Sequence, residues 1–528
     1  MNHFRRPAIP GCALLLGVLA FLGALALPAK GATPTTCTAL KDFKAPGFDV
    51  VIDKAELVAA STGSAPAAGG PPGPPRPALP AHCRIDGTID KRTGRNNRPY
   101  AIGFAVTMPT AWNGRFLFKG GGGLNGAVNP PYGAQYAGDV PALAQGYAVV
   151  STDSGHQGSN FDASFFEDQE AALNFLYQAI DKVTTVGKQI VSAHYGRQAE
   201  YSYFVGCSTG GREAMISSQR FPRHFDGIVA GAPAMRTGYS NLGLRVATEA
   251  LNAIAPKDAQ GNPQTDQALS DLDRKLVVDS FLAACDALDG AQDGLVFATR
   301  SCRFDPQALA CSGAKTASCL TQAQVNAVKV VMGEKKASDG RQIYPGYLYD
   351  TGIITRRGLA GVLVGTPIPE GAIEGPFNVD VAAARANDAR AWVGDANGWT
   401  NLSSFVGRGG KLLFFHGVSD PWFSALDTVQ YYEKLAADNA PVPTEDWSRL
   451  FLVPGMGHCN GGEQTLDRFN MLEAIANWVE KKQAPERIIA TGTAMPGESR
   501  PLCPYPAHAQ YSGTGDRRNA ASYSCRLD

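Results

Sequence analysis

The sequence predicts an α/β fold: a buried, mainly parallel sheet covered by helices on both faces and interrupted by an inserted domain. Three observations carry that expectation. Short strand-like runs alternate with helical stretches along much of the chain. Those runs are almost continuously apolar, as strands buried on both faces read. The alternation then lapses between about Met235 and Trp399 and resumes near Asn401.

The strand-like runs are Arg115–Lys119, Tyr147–Thr152, Tyr201–Gly206, Gly227–Ala230, Lys411–His416 and Arg449–Pro454. Between them Phe175–His194, Arg212–Arg220, Asp427–Asp438 and Arg468–Lys481 read as helices. Residues 62–81 are rich in Gly and Pro and lack a hydrophobic period, so they read as an exposed loop. The resulting division is a leader over 1–32, a first core part over 33–235, an inserted lid over 236–398 and a second core part over 399–528. The leader reads as a secretory signal. Arg5 and Arg6 precede the apolar stretch Ala13–Leu27, and Ala29, Gly31 and Ala32 supply small residues for cleavage. The apolar run is short for a spanning helix, and no later stretch is long and apolar enough to span a bilayer. The expected mature protein is therefore secreted or periplasmic and free of the membrane.

With 528 residues, the chain exceeds one simple domain. Its 48 acidic and 48 basic residues balance, which favours neither a nucleic-acid partner nor an anionic surface. Loss of the leader removes Cys12 and leaves ten cysteines, an even number that argues for complete pairing in an exported chain. Sequence neighbours pair as Cys37 with Cys83, Cys285 with Cys302, Cys311 with Cys319 and Cys503 with Cys525. Cys207 and Cys459 remain without a local partner. Oligomeric state is not legible at this level.

The run Tyr201–Gly206 leads into Cys207, Ser208, Thr209, Gly210 and Gly211, after which a helix begins. This is G-x-S-x-G in the strand–turn–helix setting of an α/β-hydrolase nucleophile, and it assigns Ser208 that role. The expected chain order is Ser, acid, His, each on a loop after a strand. Asp420 follows one later strand and His458 follows the next, so they are the predicted acid and base. His224, His416 and His508 suit the base role less well by position. If Ser208 and His458 meet, their neighbours Cys207 and Cys459 come within disulfide range. The oxyanion donors expected are the N–H of Thr209 and, from the glycine-rich stretch 120–126, that of Gly123. A dinucleotide-binding reading of those glycines lacks the helix and the spaced acidic residue it requires.

Inside the insertion, residues 285–295 (CDALDGAQDGL) place Asp286, Asp289 and Asp293 in a short turn. Hard oxygen donors at this spacing suit Ca²⁺, with the Ala291 and Leu295 carbonyls as additional ligands; a solvated Asp-Gly turn is the alternative.

Taken together, GCSTGGREAM at the nucleophile, HGVSDPWFS at the acid and PGMGHC at the base resemble the tannase/feruloyl esterase family over essentially the mature chain. The resemblance implies hydrolysis of small aromatic-acid esters of the feruloyl or galloyl type. It also implies five disulfides, a structural calcium ion in the insertion, and a substrate-contacting role for His416. A branch acting on terephthalate monoesters supplies the alternative substrate, although Val362–Phe377, the matching lid stretch, holds neither Trp nor Arg. A peptidase with the same triad, or a calcium-dependent binding protein on a hydrolase scaffold, would be the other outcomes.

Overall fold

The computed structural model describes residues 33–63, 77–134, 136–354, 377–387 and 389–527. The expected leader, most of the Gly/Pro-rich loop and nearly all of Val362–Phe377 lie outside the described residues.

Nine strands form one sheet. In chain order they are β1 (Val50–Val58), β2 (His82–Thr93), β3 (Pro99–Pro109), β4 (Arg115–Lys119), β5 (Ala148–Thr152), β6 (Tyr201–Cys207), β7 (Gly227–Gly231), β8 (Lys411–Gly417) and β9 (Ser448–Val453). Their spatial order is β1-β2-β3-β5-β4-β6-β7-β8-β9. From β5 to β9 every pairing is parallel, while β1, β2, β3 and β5 pair antiparallel. The six parallel strands coincide with the apolar runs of the sequence. The antiparallel margin formed by β1–β3 does not, and it extends the predicted sheet on one side.

Successive residues of the parallel strands enter different cores, which explains why these strands read as unbroken apolar runs. Phe116, Phe118, Val150, Phe204, Phe414 and Leu450 pack on one face, against Ile180, Val183 and Ile216 of the helices Ala179–Tyr195 and Thr209–Arg220. Leu117, Val149, Tyr203, Val205, Leu413 and Phe451 pack on the other, against Leu472, Ile475, Ala476 and Val479. Those four lie at helical spacing on Met471–Lys481, whose start is capped by the Asn470 side chain.

Between β7 and β8 the helices Thr237–Asn252, Asp271–Cys285 and Gln322–Met332 build a separate apolar cluster around Leu251, Val277, Val325, Val328 and Tyr344. This is where the strand–helix alternation lapses. The tail after residue 487 forms two small hairpins, Ile488–Thr491 with Ser499–Leu502 and His508–Tyr511 with Tyr523–Arg526. Disulfides join Cys37–Cys83, Cys207–Cys459, Cys285–Cys302, Cys311–Cys319 and Cys503–Cys525.

Candidate active site

At the carboxyl end of β6 the chain turns sharply into the helix Thr209–Arg220, with Ser208 at φ +64° and ψ −122°. A non-glycine residue held there costs about 1–3 kcal/mol, so the surroundings must impose it. They do so through hydrogen bonds from Ser208 N–H to Gly231 O (3.0 Å) and from Gly210 N–H to Gly121 O (3.1 Å). The turn also demands glycine at 206, where a Cβ would stand 2.5 Å from the Gly210 carbonyl oxygen. The outcome is a half-exposed serine hydroxyl lifted clear of the sheet edge.

Two further loops meet it. His458 Nε2 lies 2.8 Å from Ser208 Oγ, and His458 Nδ1 lies 2.7 Å from Asp420 Oδ2. Asp420 follows β8 and His458 follows β9, parallel neighbours whose loops emerge at the same sheet edge. Asp420 is fully buried, and its Oδ1 accepts the N–H groups of Trp422 (2.9 Å) and Phe423 (3.1 Å). Burial alone would push its carboxyl up. The charge of His458 and the hydrogen bonds from His416 and His458 outweigh burial and hold it below the usual carboxylate range. Cys207 and Cys459, the neighbours of serine and histidine, are bonded with Cα atoms 6.0 Å apart.

His416, expected at the substrate, packs against the acid loop. It is fully buried: Nδ1 accepts from Thr428 Oγ1 (2.8 Å), and Nε2 faces Phe423 O (2.9 Å) and Asp420 Oδ2 (3.3 Å). Strand alternation sends it to the same face as Phe414, towards the helix Ala425–Asp438, so it supports the acid from behind.

The glycine-rich loop after β4 spends its backbone donors almost completely. Gly120 N–H goes to Val205 O, Gly121 to Glu213 Oε2, Gly122 to Asn125 Oδ1, Leu124 to Asn160 O, Asn125 to Gly122 O and Gly126 to Asp153 O. Among the described residues, Gly123 N–H alone in this loop has no acceptor. Gly123 sits at φ +57°, and its carbonyl accepts the Thr209 hydroxyl. Thr209 opens the helix, where backbone N–H groups lack intrahelical partners and the dipole is positive.

Glu213, which sequence reasoning missed, underlies that arrangement. Fully buried on the nucleophile's helix, its carboxylate accepts Gly121 N–H (2.8 Å), Asn125 Nδ2 (3.2 Å) and Ser154 Oγ (3.2 Å). It thus ties the helix that begins beside Ser208 to the loop that carries Gly123. A charge on an otherwise small and apolar helix face was the only signal available.

On the solvent side, Trp422 packs beside the His458 imidazole with ring centroids 5.0 Å apart. Phe161 meets Trp422 edge-on at 6.3 Å. Both remain open, 37% for Trp422 and 61% for Phe161, which makes them an accessible aromatic pair next to the histidine.

The acidic turn is joined to the loop after His458, where Gln464 Nε2 donates to Asp293 O (2.8 Å). Asp286 accepts Gly294 N–H (3.0 Å), Asp289 accepts Phe297 N–H (2.8 Å), and Asp293 is held by the Arg500 guanidinium. Ala291 and Leu295 are buried, and their N–H groups bond to Asp289 and Asp293. The oxygen donors suit a hard cation. In this arrangement, however, no three acidic, His or Cys side chains among the described residues converge on one point as metal ligands.

Comparison with known proteins agrees with this architecture. The sequence pattern of the family described as tannase and feruloyl esterase matches residues 83–365 and 377–526. A mono(2-hydroxyethyl) terephthalate hydrolase of Piscinibacter sakaiensis is 38% identical, over 94% of this chain and 92% of that protein. A probable feruloyl esterase B of Aspergillus clavatus is 31% identical, over 97% and 99% respectively. The crystal structure of feruloyl esterase B from Aspergillus oryzae superposes with a TM-score of 0.76 at 27% identity, covering 93% of this chain and 99% of that one. The chain belongs to the tannase and feruloyl esterase family, and it is a carboxylic ester hydrolase of the α/β-hydrolase type.

Proposed function

We propose that this protein hydrolyses small esters of aromatic acids through an acyl-enzyme on Ser208. The observation that carries this reading is the continuous relay Ser208–His458–Asp420, at 2.8 and 2.7 Å, beside the one uncommitted N–H of the glycine loop. His458 donates Nδ1–H to Asp420 and takes the Ser208 proton at Nε2 as Oγ attacks the ester carbonyl. The Gly123 and Thr209 N–H groups receive the oxyanion, and His458 then returns the proton to the leaving alcohol. Water repeats the cycle and releases the acid.

The aromatic preference rests on Trp422 and Phe161. Ring stacking adds about 0.5–1.5 kcal/mol beyond buried area. Trp422→Ala is therefore expected to raise KM for methyl ferulate about two- to tenfold, with little change for p-nitrophenyl acetate. Equal effects on both esters would remove Trp422 from the aromatic subsite. The terephthalate hydrolase among the relatives supports a second substrate, a terephthalate monoester. A panel of methyl ferulate, methyl gallate and mono(2-hydroxyethyl) terephthalate separates the two by kcat/KM.

Two further readings accompany the main one. Export fits the five disulfides, which persist in oxidising compartments. Among the described residues, no helix is long and apolar enough to cross a membrane. A structural calcium ion at Asp286, Asp289 and Asp293, with the Ala291 and Leu295 carbonyls, fits the hard-oxygen donors of that turn, and it requires Arg500 to yield Asp293. Chelator treatment is then expected to lower the melting temperature by several degrees, with recovery on adding Ca²⁺. An unchanged melt overturns this reading.

A further inference from the structure

The acid loop is gripped from outside the sheet, by the insertion, and at both of its ends. At its start Ser419, fully buried, donates its hydroxyl to Asp350 Oδ2 (2.6 Å) and accepts Gly352 N–H (3.0 Å). At its finish Ser424 donates N–H to the Tyr344 hydroxyl (2.9 Å) and its own hydroxyl to Gly346 O (2.5 Å). Ser424 also caps the following helix by accepting Leu426 N–H. Asp420 sits between these two anchored serines.

Asp350 does more than hold one loop. The same Oδ2 accepts Gly455 N–H (2.7 Å), three residues before His458 on the loop after β9. One buried oxygen, carried on a segment 69 residues before Ser419 and 105 before Gly455, therefore bridges the acid loop to the base loop. The backbone bond from Ser419 N–H to Met456 O (3.0 Å) joins the same two loops, and Asp350 fixes the spacing on the insertion side.

We propose that Asp350 is a positioning residue for the Asp420–His458 pair, so that the insertion sets the geometry of the proton relay as well as its surroundings. This rests on the assignment of Ser208, His458 and Asp420 made above. Asp350 touches no reacting atom. Its loss leaves the Ser419 O–H and the Gly455 N–H buried without an acceptor, and both loops must shift to find one. A displacement of about 1 Å in such a site costs about 100-fold in rate.

The experiment compares Asp350→Ala, Asp350→Asn and Ser419→Ala with the parent chain, using p-nitrophenyl acetate and methyl ferulate. Asp350→Ala is expected to lower kcat about 10- to 100-fold with KM within about twofold, and to move the acidic limb of the pH–rate profile downwards as Asp420 loosens from His458. Asp350→Asn keeps an oxygen for both donors and should restore most of kcat. A folded Asp350→Ala with a lower melting temperature but unchanged kcat and pH profile overturns the proposal, because Asp350 then only adds stability. Should that variant fail to fold, Ser419→Ala decides: a fall of about fivefold or more in kcat supports the bridge, and an unchanged kcat overturns it. Ser208→Ala distinguishes the two levels. If Ser208→Ala keeps full activity, the triad assignment itself fails; if it is inactive while the Asp350 variants are normal, only the positioning role fails.

Discussion

Ser208→Ala is expected to reduce kcat on p-nitrophenyl esters by about 10⁵- to 10⁶-fold while leaving the melting temperature nearly unchanged. The size of the loss follows from what Ser208 does that no neighbour can. It is held at φ +64° with its hydroxyl towards His458 Nε2, and the helix behind it offers backbone N–H groups to the oxyanion. Removing Oγ leaves those donors in place, so a small residual rate through water attack persists. The members of such a unit act together. The double variant Ser208→Ala, His458→Ala should accordingly be no slower than either single one, within a few fold. Full ester hydrolysis by Ser208→Ala, or multiplicative losses in the double variant, would overturn the acyl-enzyme mechanism. A serine-directed phosphonate should label the parent chain at Ser208 and fail to label the alanine variant.

The residues of that unit were legible because each is announced by its own chain neighbourhood. Gly206 and Gly210 bracket Ser208, and an apolar strand delivers each of Asp420 and His458 to its loop. Parallel strands buried on both faces leave unbroken hydrophobic runs, so β4 to β9 could be read directly. β1 could not. Val50–Val58 carries Asp53, Lys54 and Glu56, because a strand at the sheet margin with one open face needs no continuous apolar run. Its place is set by pairing with β2, where Val58 lies opposite His82, and no local pattern encodes that. His416 was legible only in part: the sequence puts it beside the acid loop, while strand phase buries its ring against Thr428. Glu213 and Asp350 stayed hidden because they act on backbone N–H groups 92 and 105 residues away. A carboxylate with such partners has no motif, only a fold.

The second large effect belongs to the disulfide beside the triad. Replacing Cys207 and Cys459 together by alanine, which avoids a lone thiol, is expected to lower both the melting temperature and kcat. The bond closes 252 residues, and in the chain-entropy account a loop of that length contributes about 5 kcal/mol. A fall of about 5 °C in melting temperature follows for a chain of this size. The remaining four disulfides and both cores still hold the fold, so the variant should be obtainable. The catalytic loss has a separate cause. Cys207 directly precedes the nucleophile and Cys459 directly follows the base, so the bond fixes their Cα atoms 6.0 Å apart across two loops. Without it the Ser208–His458 contact can lengthen, and about 10- to 100-fold in kcat is at stake. The control is the Cys503–Cys525 pair, whose 22-residue separation contributes about 3 kcal/mol in the same account and which stands on the tail hairpins. Its double alanine variant should melt lower yet keep kcat. If the Cys207/Cys459 variant loses stability with unchanged kcat, the bond only closes the chain. If kcat falls in that variant and not in the control, the bond sets the distance between nucleophile and base.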